Sequence, residues 1–221
     1  MPIRLSSKAR LVHFPSTDGL RLEGRLLLAH RDRAVVLCHP HPLHGGSMLT
    51  PVIMTAEQAF QEAGYTTLAF NFRGVGGSQG RHGEGRDEVA DVEGALAFTA
   101  EQLGHAPARQ TVAGFSFGSY VGGRVASADA RVAAFLCIAP VLNHYDYGFL
   151  RRARCRIAIL APGQDEFSDP GKLDGLVASL PRAPWLRIVD TDHLFRTAWV
   201  ELPRACRDAV AWLDGPGDGP A

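Results

Sequence analysis

Residues 111–120 read TVAGFSFGSY. A β-branched, apolar start runs into Gly114, Phe115, Ser116, Phe117 and Gly118, and the helix-like GSYVGGRVASA follows. A serine inside a Gly-x-Ser-x-Gly frame, with a strand before it and a helix after it, is the pattern of a strained turn that holds a hydroxyl clear of the backbone. A solvated serine in a glycine-rich turn would fit the same ten residues. The rest of the chain has to separate the two.

Working outward, short and nearly continuous apolar runs recur: AVVLCHP (34–40), TTLAFNF (66–72), TVAGF (111–115), VAAFLCIAP (132–140), RIAILAP (156–162) and WLRIVD (185–190). Such runs suit strands buried on both faces of a parallel sheet. Helix-like stretches lie between them. PVIMTAEQAFQEAG ends on Gly64, a C-terminal cap residue. EGRDEVADVEGALAFTAEQLG repeats apolar residues at Val89, Val92, Ala95, Leu96 and Phe98. PGKLDGLVASL follows later, and FRTAWVELPRACRDAVAWL comes last, interrupted by Pro203. Ahead of all this, RLVHFPS and LRLEGRLLLAH flank Thr17-Asp18-Gly19 and read as an antiparallel hairpin. Alternation of strand and helix predicts an α/β architecture with a mostly parallel sheet. The reading is one domain over residues 1–213 and a flexible Gly/Pro-rich tail over 214–221.

Right-handed crossovers put the loops after these strands along one edge of the sheet, where ligands bind in such folds. Ser116 ends one strand, Asp165 lies in PGQDEF after another, and His193 lies in DTDHLF after the last. The chain order Ser, Asp, His is the one this hydrolase arrangement uses. Each member has a chemical reason. A serine hydroxyl is a poor nucleophile at neutral pH and needs an imidazole to take its proton. A carboxylate on the other ring nitrogen holds that imidazole in the right tautomer. The resulting oxyanion needs preorganised donors, and the backbone N–H of Phe117 is one. Asp169, Asp190 and Asp192 are rivals to Asp165. Asp192 adjoins His193, and neighbours in sequence rarely present side chains to each other, so Asp165 is preferred.

The GFSFG turn, HPHPLHGG (39–46), NFRGVGGSQG (71–80), the Asp165 loop and the late His193 together resemble the α/β-hydrolase superfamily over nearly the full chain. Within it, HPHP and FNFRGVGGSQG are most similar to small bacterial hydrolases of the dienelactone-hydrolase and esterase branch. The resemblance implies an α/β-hydrolase fold: a twisted, mostly parallel sheet of about eight strands with helices on both faces. Many relatives carry His-Gly where this chain has His39-Pro40, and proline has no N–H. By position the second oxyanion donor is then the N–H of His41. The segment VLNHYDYGFLRRAR (141–154) has room for one short helix at most, so no lid domain is expected.

Composition bounds the alternatives. The chain has 221 residues, 46% hydrophobic and 21% charged, with zero formal net charge. That is globular composition with no field for nucleic acid or an anionic membrane. No secretory signal or membrane-length apolar run is visible. Cys38, Cys137, Cys155 and Cys206 show no metal-type spacing, and a reduced cytoplasmic protein is expected. His39, His41 and His44 raise the possibility of zinc, but the prolines stiffen the segment and no acid stands near, so no metal is assigned. Arg73-Gly74 and Gly76-Gly77 lack the Lys-Ser/Thr of a phosphate loop and read as a turn at the sheet edge. Leu43, Tyr120, Tyr145 and Phe195 are the candidates for an apolar substrate pocket, each equally able to be core. The expected activity is cofactor-free hydrolysis of small accessible esters. A thioesterase, a peptidase of the same fold and a non-catalytic binding protein are the rivals.

Overall fold

The computed structural model of the chain describes residues 9–29, 32–107 and 109–215. Eight strands form one sheet: β1 (Arg10–Pro15), β2 (Arg21–Leu27), β3 (Arg33–Cys38), β4 (Thr66–Asn71), β5 (Arg109–Phe115), β6 (Val132–Ile138), β7 (Arg156–Pro162) and β8 (Trp185–Val189). Their spatial order is β1-β2-β4-β3-β5-β6-β7-β8. The β1–β2 hairpin is antiparallel and pairs antiparallel with β4, while every pairing from β4 to β8 is parallel. The chain leaves β3 toward β4 on one side and then crosses to β5 on the other. The direction of winding therefore reverses between β3 and β5, and this is where open α/β sheets bind ligands.

The apolar runs become strands because both sheet faces are covered. Helices α1 (Pro51–Glu62) and α5 (Glu201–Asp214) pack on one face, with Ile53, Phe60, Leu202 and Val210 against Val35, Leu37 and Leu136. Helices α2 (Glu88–Leu103), α3 (Phe117–Ala128) and α4 (Pro170–Ser179) supply Val92, Val121 and Leu173 to the other core. In β4 every residue is buried, which explains a run with no alternation. Gly64 follows the cap residue Ala63 at φ +81°, the left-handed position that ends a helix.

Pro203 does not interrupt the last helix. It is the third residue of α5, where a missing N–H costs no intrahelical bond, so it helps to start the helix, and residues 195–200 ahead of it are non-helical. Between β6 and β7 there is a short 3-10 helix at Gly148–Arg152 and no inserted domain. Asp214, placed with the tail on sequence, closes α5, and its carboxylate accepts the Tyr65 hydroxyl and pairs with Arg33. Residues 216–221 lie outside the described residues. The Arg73 loop is a turn at the sheet edge. Its guanidinium is buried against Asp91 (Nη2–Oδ1 2.8 Å) and reaches Asp18 in the hairpin turn, tying β4, α2 and the hairpin together. All four cysteines are free and buried, and burial pushes the thiols of Cys137, Cys155 and Cys206 up to about 12. No helix among the described residues is long and apolar enough to cross a membrane.

Candidate active site

Ser116 has φ +55° and ψ −122°, a backbone region that side-chain-bearing residues seldom occupy. The two framing glycines make this turn possible through close approach. A Cβ on Gly114 would lie 2.2 Å from the Gly118 carbonyl oxygen, and one on Gly118 would lie 2.1 Å from that of Cys38. Strand β5, the start of α3 and the end of β3 thus meet backbone to backbone. The turn is braced from below. The Ser116 N–H donates to Ile138 O (2.9 Å), and Ser119 Oγ donates to Ser116 O (2.7 Å). That leaves the Tyr147 hydroxyl to donate to Ser119 Oγ (2.7 Å) while it accepts the Val141 N–H (3.2 Å). Burial holds the Tyr147 phenol well above its ordinary value, so it stays a donor.

The three strand ends converge. Ser116 Oγ lies 2.9 Å from His193 Nε2, and His193 Nδ1 lies 2.8 Å from Asp165 Oδ2. An ionised Asp165 accepts Nδ1–H, which leaves Nε2 to accept the serine proton. Asp165 is oriented in turn by the Phe167 N–H on Oδ1 (2.9 Å). The imidazole sits between Phe115, stacked at 5.4 Å, and Phe167, edge-on at 4.7 Å. The rival acids are engaged elsewhere: Asp169 caps α4 through the Lys172 N–H, Asp190 accepts Gln164, and Asp192 accepts Arg196.

The loop after β3 forms the opposite wall. His39 is fully buried, donating Nδ1–H to Pro40 O (2.6 Å) and accepting the Phe72 N–H on Nε2 (3.0 Å). Burial pushes its imidazole down to about 4. Both ring nitrogens are used, so His39 is a strap between the ends of β3 and β4. His41 is held on every side but one. Its carbonyl accepts the N–H groups of His44 (3.1 Å) and Gly46 (3.2 Å), and its Nδ1 accepts that of Leu43 (3.2 Å). Its own N–H has no acceptor among the described residues. The Phe117 N–H, at the first position of α3, has no intrahelical acceptor either. Among the described residues no three His, Cys, Asp or Glu side chains converge as a metal-holding group.

A cavity of about 680 Å³ opens over Ser116 and His193, walled by His41, Phe117, Val141, Tyr145, Phe167 and Leu194, with His44, His144, Glu166 and Arg196 also lining it. Of the four pocket residues expected from sequence, Tyr145 lines it. Leu43 does not, because its side chain sits in solvent on the 3-10 turn Pro42–His44. Tyr120 stands behind Tyr145, stacked on it at 4.3 Å. Phe195 is fully buried on the far side of Phe115 and belongs to the α1/α5 core. Phe167, Val141, His144 and Leu194 were missed. For two of them the signal was adjacency: Phe167 follows Asp165 by two residues and Leu194 follows His193 by one.

Residues 29–181 match the model of a family described as serine aminopeptidase, S33. An uncharacterised protein of Rickettsia prowazekii is 33% identical over 210 residues, spanning 89% of this chain and 87% of that protein. Among solved structures, an α/β serine hydrolase without a lid from Xanthomonas campestris superposes with a TM-score of 0.82 at 28% identity, covering 96% of this chain and 98% of its own. A putative α/β-hydrolase of unknown function from Agrobacterium tumefaciens gives 0.85 at 30% identity, covering 91% and 95%.

Proposed function

Because the chain belongs to the serine aminopeptidase S33 family, as a lidless member of the α/β-hydrolase superfamily, we propose that it is a carboxylesterase-type serine hydrolase acting on small accessible esters. The observation that carries this reading is the unbroken hydrogen-bond chain from Ser116 Oγ through His193 to Asp165 at the floor of an open cavity. Ser116 Oγ attacks the ester carbonyl while His193 Nε2 takes its proton. The carbonyl oxygen gains the negative charge and is held by the N–H groups of Phe117 and His41. His193 then returns the proton to the leaving alkoxide, giving an alcohol and a Ser116 acyl-enzyme. Water, activated by the same imidazole, releases the acid and restores the serine. Nothing in this sequence calls for a cofactor.

Esters are favoured over the peptides in the family's description by the charges around the cavity. An aminopeptidase needs a fixed anion for the substrate's terminal ammonium. Asp192 is engaged with Arg196, and Glu166 is exposed, where a carboxylate–ammonium pair contributes little. The test is labelling with a fluorophosphonate, followed by hydrolysis of matched p-nitrophenyl ester, thioester and amino-acid anilide substrates. Labelling confined to Ser116 with turnover of the ester over the anilide is expected. An unlabelled protein, or faster anilide turnover, would overturn the reading.

A further inference from the structure

Two polar residues beside the cavity, Glu88 and His82, have no role in the chemistry described so far. Glu88, first in α2, is wholly buried and accepts the N–H groups of Gly83 (2.7 Å) and Gly85 (2.8 Å). Its Oε1 also lies 2.9 Å from His82 Nδ1. A carboxylate inside a fold costs desolvation, so its partners must justify its place. What it bonds is the backbone of the loop between β4 and α2, and the His82 ring packs beside it without hydrogen-bond geometry.

That ring touches two others. It meets His41 at 4.7 Å and Phe117 at 5.3 Å, and His41 and Phe117 meet each other at 5.1 Å. The three rings close a triangle, and two of its corners are the residues whose main-chain N–H groups face the developing oxyanion. Burial, with His82 and His44 adding to it, lowers the His41 imidazole below its usual value, so at neutral pH it packs as an uncharged ring. The His41 loop reaches β3 through a proline, and Gly118 lets α3 lie directly on Cys38 and His39. Besides that backbone contact, the His82 ring packs against both donor residues.

We infer that His82, on the loop that Glu88 braces and packed against both rings, is a positioning residue that fixes the spacing of the His41 and Phe117 N–H groups. This rests on the serine-hydrolase reading above. An oxyanion hole is effective only when its donors are held in place before charge develops, so loosening the wedge acts on the transition state and spares ground-state binding.

The experiment compares wild type, His82→Ala, His82→Phe and Glu88→Gln. Active sites are counted by fluorophosphonate titration. kcat and KM are measured on p-nitrophenyl acetate, with inhibition by an aryl trifluoromethyl ketone and by benzyl alcohol. The ketone's serine adduct carries the oxyanion, whereas the neutral alcohol does not. Per active site, His82→Ala is expected to lower kcat by about tenfold, a fraction of the loss from deleting a donor outright, with KM little changed. Ketone affinity should fall by the same factor and benzyl alcohol inhibition should stay constant. His82→Phe, which keeps a ring, should recover most of kcat, and Glu88→Gln should fall between. Unchanged kcat in His82→Ala would overturn the inference. So would ketone affinity retained while kcat falls, or a phenylalanine variant no better than alanine. If wild type neither labels nor turns over ester, the hydrolase reading falls first and the positioning role falls with it. A fully active wild type with an equally active His82→Ala sinks only the latter.

Discussion

The His39 strap carries a quantitative consequence for acid stability. Its imidazole donates one ring N–H to Pro40 O and accepts the Phe72 N–H on the other nitrogen. Burial, which disfavours a charged ring, is why the folded imidazole titrates near 4 in place of 6.5, and a second proton would also set an N–H against the Phe72 N–H. The folded value is depressed, so the unfolded chain binds the proton first as pH falls. The neutral strap's stabilisation is then complete above 6.5 and is lost as pH drops toward 4. At about 1.4 kcal/mol per tenfold change in proton affinity, acidification from pH 7.5 to 4.5 costs ~2.5 kcal/mol through this one group. In His39→Gln the amide reaches the Phe72 N–H and has no proton to gain. At pH 7.5 the variant should be less stable than wild type by ~1–3 kcal/mol, for the lost Pro40 bond and ring contact. At pH 4.5 the gap should shrink by ~2.5 kcal/mol and close or reverse. Urea unfolding of both proteins at the two pH values measures this directly, because every other titrating group cancels in the difference. A gap that moves by less than ~0.5 kcal/mol would refute the reasoning.

The remaining expectations concern the site and the frame that carries it. Ser116→Ala and His193→Ala should each lower kcat on a short ester by on the order of 10⁴-fold or more, and Asp165→Asn by a comparable factor, because the members act as a unit. Asp169→Asn, Asp190→Asn and Asp192→Asn should stay within a few-fold of wild type, and a large loss in any of them would reassign the carboxylate. Gly118→Ala drives a methyl to 2.1 Å from Cys38 O, so a loss of roughly 3–5 kcal/mol and a Tm lower by roughly 10 °C are expected in calorimetry. Arg73→Ala leaves Asp91 buried and unpaired and should cost about 3–5 kcal/mol in chemical denaturation. Unchanged stability would mean that Asp91 finds another partner.

Much of this molecule was legible in order along the chain. Runs such as TTLAFN announce strands because the side chains of a doubly covered strand must all be apolar or hydrogen-bonded, and that is a local property. The Gly-x-Ser-x-Gly turn is legible in part for a similar reason, since Gly114 meets Gly118 four positions on, whereas the need for Gly118 comes from Cys38, far away in sequence. Pro203 misled because a proline's meaning depends on whether a helix has already begun. Leu43, Tyr120 and Phe195 misled because a loop residue's side chain faces solvent, ring or core according to neighbours distant in sequence. The four aspartates near the last two strand ends are equivalent as letters. Sequence preferred Asp165 over its rival Asp192, which adjoins His193, and His193, 28 residues on, folds against Asp165 while the other three are engaged elsewhere.

Local sequence sets the elements and which chemical groups stand at their ends, because periodicity, capping and glycine placement act over a single turn or strand. Strand order belongs to the assembled sheet: β3 between β4 and β5 sets the His41 loop beside Ser116, and the run β5-β6-β7-β8 brings His193 within 2.9 Å of a serine 77 residues away. Strand order is a matter of ladder hydrogen bonds and burial shared between segments far apart, and no single segment encodes its neighbour.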